Sequence, residues 1–368
     1  MTTTALTTLF AADGAVPALD RFFSAVSGVW AAFVLTPLPK ALLLGLGFLA
    51  ATVLAGIPGM PLLRRLKVGQ TVRSDGPQSH LSKTGTPTFG GLLFLAPILA
   101  FGLVGPALFP QFDQIPALTL MVAGYAFVGF LDDYVKVRVN KKGLSIAAKS
   151  LILLAISTAF TAYLLYFSDM SVVLVLPFSG GAPPVEVTGA WRAVYGVFLV
   201  AFLYIVTNAV NITDGVDGLA SSVTAIVAAS LGLLALALPE AVDDRRAIAY
   251  FAFSIVGGCL GFLFYNRHPA RVFMGDTGSM ALGAAVAGIS ILMGCPWILI
   301  PAGIVYVIEG GSVAIQVFWY KRTKTRIFRM SPIHHHYELG GWGEWRIVGV
   351  FSAVAALGCA VAALSLLL

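Results

Sequence analysis

Stretches of about 20 apolar residues recur along the chain, and nothing constrains its fold more, because that length of helix crosses the hydrocarbon core of a bilayer. Inside that core each backbone N–H and C=O needs an internal partner, so a chain of such segments folds as a helical bundle. The sequence marks out ten, roughly 41–63, 88–109, 114–131, 144–167, 190–210, 216–238, 247–265, 278–294, 296–320 and 346–367, the ninth interrupted at Gly310-Gly311. Of the 368 residues 58% are hydrophobic and 11% charged, and the mean hydropathy is +0.90, far from a soluble domain. Residues 20–37 are apolar but short and run into Pro37 and Pro39, which predicts a helix lying in the interface. The fold class expected is an all-α integral membrane protein with ten transmembrane helices. It forms a single polytopic domain over residues 1–368, with no soluble module and no internal repeat.

Charge sets the expected orientation. Apart from Arg21, Lys40, Arg192, Arg245 and Arg246, all of the 23 lysines and arginines fall on the side where the odd-numbered segments end. By the positive-inside rule that side is cytoplasmic, and both termini face outward. The N-terminal residues lack a basic region and a cleavage site, so no removed signal peptide is expected. Cys259, Cys295 and Cys359 lie in or beside apolar segments without metal-ligand spacing and read as packing residues. The net charge of +6 suits anionic lipid head groups and anionic substrates. The basic residues are scattered over loops with no recognition motif, so nucleic acid is not an expected partner.

Five aspartates stand out against this apolar background, and on the orientation above all lie at the cytoplasmic edge: Asp132, Asp133, Asp214, Asp217 and Asp276. Acids beside the hydrocarbon region are costly and are kept for function. Asp132 and Asp133 end the third segment. As helical neighbours they point about 100° apart, so one is expected to face the site and the other a lysine (Lys136 or Lys149) or a helix terminus. An acid at a helix C-terminus opposes the macrodipole, a placement that calls for a reason.

Asn208, Asn211, Asp214 and Asp217 recur every three residues, a polar stripe that reads either as a capped turn or as the wall of a ligand pocket. Asp276, between Gly275 and Gly278, opens the eighth segment and reads as a metal ligand, as that helix's N-cap, or as both. The loop from Arg73 to Gly91, with His80, Lys83, Thr86 and Thr88, offers cations and hydroxyls for phosphate oxygens. His334, His335 and His336 are adjacent and cannot all point one way. Their spacing is wrong for zinc, and hydrogen bonding to phosphate or nucleotide fits better. Glu309 and Gln316, seven residues apart, share a face of the ninth segment and belong to a buried network or to the pocket.

Five strings taken in order resemble the phospho-MurNAc-pentapeptide translocases, within the polyprenyl-phosphate N-acetylhexosamine-1-phosphate transferases: RSDGPQSHLSKTGTPTFGG, FLDDYVK, NAVNITDGVDGLA, FMGDTGS and SPIHHHYELGGW. The resemblance covers Arg73 to Glu344. It implies ten spans with both termini outside, a homodimer in the bacterial cytoplasmic (inner) membrane, and use of magnesium. It also implies transfer of phospho-MurNAc-pentapeptide from UDP-MurNAc-pentapeptide to undecaprenyl phosphate, giving lipid I and UMP in peptidoglycan synthesis, and through it a part in cell shape and division.

Carried over by position, Asp276 resembles the magnesium ligand and Asp132 the residue acting on the lipid phosphate, with Asp133 its essential neighbour. Asn211, Asp214, Gly215, Val216, Asp217 and Phe273, with Lys83 and Thr88, resemble the nucleoside side. Asn266, Gln316, His334, His335 and His336 complete the substrate-binding set. Phe89 stands where the family often has Met, and Gly349-Val350-Phe351-Ser352 replaces a frequent Arg-Phe-Trp pattern. A UDP-GlcNAc-1-phosphate transferase is the nearest alternative, disfavoured by the SPIHHHYE string. An ion-coupled transporter is the remote one, since its acids belong near the bilayer midplane with a repeat.

Overall fold

In the computed structural model, residues 36–65, 85–108, 113–140, 142–179, 182–238 and 245–368 are described. The expected interfacial helix over 20–37 lies almost wholly outside them, as does Lys83. The helices are α1 (Pro37–Arg65), α2 (Gly91–Leu108), α3 (Ile115–Arg138), α4 (Ile146–Ala162, continued by a wider turn over Tyr163–Phe167), α5 (Trp191–Thr213), α6 (Leu219–Ala237), α7 (Arg245–Asn266), α8 (Gly275–Leu292), α9 (Leu299–Ala302), α10 (Ile304–Thr323), α11 (Ile333–Glu338) and α12 (Glu344–Leu367). Among the described residues eight of these are long and apolar enough to cross a membrane, α2 is a shorter apolar helix, and a bent pair could make a ninth span. That pair joins Pro296–Ala302 to Ile304–Thr323 at 84°.

The bend corrects the sequence reading. It falls at Gly303, just after Pro301, whereas Gly310-Gly311 sit inside an unbroken α10. Gly310 instead presses against Ala209 of α5, where the missing side chain allows the two helices to approach.

The bundle is organised around α8. Its sequence, GDTGSMALGAAVAGISIL, is made largely of small residues, and 89% of its apolar window is buried, against 22% for α1. Without a hydrophobic drive between helices in lipid, small side chains let backbones meet and gain dispersion contact. α8 packs on α3, α5 and α2, while α7 packs on α1 and α6. The fit is tight enough that a methyl at Gly129 of α3 would run into the Asp276 carbonyl, and one at Gly91 of α2 into Gly278. The outer helices turn large apolar side chains outward, with Leu46, Leu54 and Ile57 of α1 and Leu357 of α12 all more than half exposed. Such surface is stable against hydrocarbon and not against water.

At the end of the bundle where α8 finishes, Val173–Leu174 (β1) pairs antiparallel with Val185–Glu186 (β2), and Val175 donates to the Gly294 carbonyl. At the opposite end the C-termini of α3, α5 and α7 meet the N-termini of α4 and α8. The site-forming aspartates gather there. The three cysteines are buried and unpaired with each other, in keeping with packing roles.

Candidate active site

Asp132 and Asp133 are each 3% exposed and diverge as helical neighbours must. Asp132 Oδ2 pairs with Lys136 Nζ at 2.8 Å, one turn along α3, and with Lys149 Nζ of α4 at 3.1 Å. Its Oδ1 accepts the Leu144 N–H at 2.6 Å. Asp133 turns the other way: its Oδ1 accepts the Asp276 N–H at 3.1 Å, and its Oδ2 accepts the Thr277 N–H at 3.0 Å and the Thr277 hydroxyl at 2.8 Å.

Asp133 therefore caps α8 from another helix. This corrects the reading of Asp276 as N-cap. Met274 occupies that position without a side-chain bond, and Asp276 is the second helical residue. A carboxylate on the free N–H groups of a helix end is worth about 1 kcal/mol. α3 runs on to Arg138, so the pair does not end its helix as the sequence suggested, and Asp133 instead meets the positive end of α8. Gly275 enters α8 at φ +73°, and a side chain there would strike the Asp133 carboxylate and Thr88.

With its helix capped by Asp133, the Asp276 side chain is released for the site. Its Oδ2 lies 2.5 Å from Lys149 Nζ and 3.0 Å from Lys136 Nζ. Its Oδ1 accepts from Asn211 Nδ2 at 3.1 Å, and Asn211 also donates to Ser279 Oγ at 2.8 Å. Two carboxylates from different helices thus converge on the same pair of ammonium groups. The lysines stand where positive charge is stabilised, and the donors offered are hard oxygens. Asp276 is also the more open carboxylate, with 17% of its side chain exposed against 4% for Asp132. That donor set fits a magnesium ion, which takes one or two carboxylates and fills its other positions with water and phosphate.

Beyond α5 the chain bends through Asp214 to Gly218. The polar stripe splits here. Asn208 bonds back to the Tyr204 carbonyl, Asn211 faces Asp276, and Asp217 turns away. Burial pushes the Asp214 carboxyl well above the usual carboxylate range, and the charges of Asp276, Asp133 and Asp217 push the same way. Asp217 Oδ2 accepts the Ala270 N–H at 3.0 Å and lies 3.1 Å from His268 Nδ1, while its own N–H donates to Glu344 Oε2. Asp217, His268 and Glu344 present ligand atoms within 4.8 Å of one another. Asn266 ties this loop down, accepting the Gly218 N–H and donating to the Val272 carbonyl. Val216 is buried beneath it, and Phe273 exchanges backbone bonds with Pro87 and Gly90. Thr88 is 2% exposed, and its Oγ1 has no partner among the described residues.

The three histidines point three ways. His334 Nδ1 meets Glu309 Oε2 of α10 at 3.0 Å, and both residues are fully buried. His335 Nδ1 pairs with Glu338 at 2.6 Å, and His336 Nδ1 accepts the Arg329 N–H. His334 lies against Gly215, since a methyl on that glycine would run into its ring. Gln316 accepts the N–H groups of Ile327 and Phe328 and donates to the Phe328 carbonyl, pinning the loop before α11.

Sequence reasoning named Lys136 and Lys149 only as neighbours of the aspartate pair, and their reach to Asp276 went unseen. The i,i+4 spacing from Asp132 to Lys136 was a usable signal. His268 and Glu344 as partners of Asp217, far along the chain, had none.

A family model described as glycosyl transferase family 4 matches residues 115–294. The chain is 44% identical over 312 residues to the phospho-N-acetylmuramoyl-pentapeptide-transferase of Acetivibrio thermocellus, covering 84% of this chain and 90% of that protein. It is 43% identical over 328 residues to the protein of the same name from Clostridium perfringens, covering 87% and 96%. With that of Listeria welshimeri the identity is 42% over 317 residues, covering 83% and 92%.

Proposed function

The chain belongs to the phospho-N-acetylmuramoyl-pentapeptide-transferase family, and we propose that it transfers phospho-MurNAc-pentapeptide from UDP-MurNAc-pentapeptide to undecaprenyl phosphate, giving lipid I and UMP in peptidoglycan synthesis. The observation that carries this reading is the convergence of Asp132 and Asp276 on one pair of ammonium groups at the end of an apolar bundle. An oxygen of the lipid phosphate bonds to the β-phosphorus of the nucleotide. The bond from that phosphorus to the bridging oxygen breaks, and the oxygen leaves with UMP. Such a transfer needs in-line placement and charge neutralisation more than covalent protein chemistry.

Asp132 orients the lipid phosphate and takes its proton when it carries one. Lys136 and Lys149 have Nζ groups within reach of both phosphate-bearing substrates once these displace the carboxylates. Asp133 holds α8 so that Asp276 faces the site. Asp276 is the proposed magnesium ligand, and bound magnesium would neutralise the diphosphate and the leaving UMP. Asp214, Gly215, Val216, Asp217, Asn266 and Phe273 form the nucleoside side, with Lys83, Thr88, Gln316 and the three histidines completing it.

The remaining expectations belong to the same reading. α1 to α8, the bent segment from Pro296 to Thr323 and α12 make ten membrane segments, with the termini on the face opposite the site. The protein works as a homodimer in the bacterial cytoplasmic membrane, where lipid I supply limits wall growth and so cell shape and division. The test is UMP release by purified protein with undecaprenyl phosphate, magnesium and either UDP-MurNAc-pentapeptide or UDP-GlcNAc. Release is expected with the first alone. Turnover only with UDP-GlcNAc would overturn the substrate assignment.

A further inference from the structure

Two buried polar atoms beside the site have no partner among the described residues: Nε2 of His334 and Oε1 of Glu309. They belong to one pair, joined through His334 Nδ1 and Glu309 Oε2 at 3.0 Å, with both residues 0% exposed. Buried polar groups are almost always satisfied, so an orphan in a closely packed region wants a reason. The pair is also held from both sides. Glu309 projects from the middle of α10, and the His334 ring is packed edge-on against His335 at 4.2 Å between centroids. The orphan nitrogen faces the loop at Gly215, the residue after Asp214, so it is directed at the site and not into the bundle.

We infer that Glu309 is a positioning residue, which fixes His334 so that Nε2 bonds an oxygen of the bound nucleotide-sugar. The inference rests on the function proposed above and adds a role for a side chain of α10. A carboxylate that accepts the Nδ1–H sets both the ring's orientation and its tautomer, as the outer partners of functional histidines commonly do. With its hydrogen fixed on Nδ1, the ring presents the Nε2 lone pair as an acceptor for a hydroxyl of the nucleotide-sugar. An imidazole without that partner could turn about its bond to Cβ and present either nitrogen. Gly215 fits the same account, because a methyl there would take the space through which Nε2 reaches the ligand.

The test is a double-mutant cycle on kcat/KM for UMP release with Glu309→Gln, His334→Ala and the two combined, beside melting curves for each. Glu309→Gln, nearly isosteric, should lower kcat/KM by about tenfold or more with its melting temperature retained. The double variant should be no worse than His334→Ala alone, because residues acting as a unit are not additive. Glu309→Asp, which keeps the charge, should recover part of the loss. Independent additive losses would mean that Glu309 only supports the bundle, and would overturn the inference. A second readout needs no turnover: in the ¹⁵N spectrum of histidine-labelled protein, one Nδ1–H shifted by a carboxylate should vanish in both Glu309→Gln and His334→Ala. A spectrum unchanged by Glu309→Gln would overturn the pairing. Failure of the unmodified protein to turn over UDP-MurNAc-pentapeptide would refute the proposed function, with this spectrum still deciding the pairing.

Discussion

Each carboxylate oxygen of Asp132, Asp133 and Asp276 has a partner, in a lysine, a backbone N–H, a hydroxyl or an asparagine amide. Across the site Glu309 and His334 each keep a buried polar atom with no partner among the described residues, and burial and three other acids push the Asp214 carboxyl above its usual range. The difference separates two ways of building a binding site in an apolar bundle. On the acidic side, each carboxylate is partnered internally, and on the proposed function ligands would enter by exchange with ammonium groups already in place. On the histidine side, the inferred contact would let the ligand satisfy hydrogen-bonding capacity that the described residues leave open.

The sharpest way to break this comparison is Asp276→Asn, which should cut UMP release by about 1,000-fold or more, the scale of losing a group that meets transition-state charge. The fold should survive, as judged by melting curves, and activity retained near a tenth would remove Asp276 from its role. Next comes Gly215→Ala on the opposite side. The added methyl has to displace the His334 ring, and a misplacement of about 1 Å costs roughly 100-fold in kcat/KM. Unaltered kinetics would show that this loop yields freely. A third contrast is Lys149→Met. With one competing ammonium gone, manganese titrated as a probe should bind roughly tenfold more tightly, since like charges a few ångströms apart repel on that scale. Unchanged affinity would mean that lysine and cation do not share the carboxylates.

The smallest effect is expected from Asp214→Asn. A carboxyl whose pKa is raised by folding favours the folded state below its ordinary pKa, and that contribution is lost as pH rises through the raised value. The asparagine variant escapes the loss, so in the absence of ligands it should melt higher than the parent at pH 7 to 8 and no higher near pH 4. Identical pH dependence of the two proteins would show that Asp214 carries no such strain.

Much of this was legible in the sequence. Most apolar segments predicted their helices within a few residues, although α3 runs past its expected end to Arg138 and the ninth is a bent pair, and the divergence of Asp132 from Asp133 followed from helical geometry alone. One of the two was expected to face a lysine or a helix terminus, and the structure gives the lysines to Asp132 and the terminus of α8 to Asp133. Other features depended on tertiary contact. Whether Asp276 caps its own helix turns on a carboxylate from α3, and no local pattern records that. Gly310-Gly311 carries the composition of a break, yet the chain bends at Gly303, because a glycine in a membrane helix can equally mark a place where two helices touch. Glu309 and Gln316 share a face as expected, but one meets a histidine and the other a loop backbone. The partners of Asp217 come from the ends of α7 and α12, and hydropathy says nothing about which ends meet.

The closeness of α8 to Gly129 and Gly91 has a consequence for inheritance. Aspartates on α3 and α8 reach common partners only because the two backbones lie nearly in contact, and that contact depends on positions bearing no reactive group. A saturation scan read out by cell survival should therefore score alanine at Gly129 with alanine at Asp133. Outer faces such as that of α1, where Leu46, Leu54 and Ile57 are exposed, should tolerate substitutions that these glycines do not.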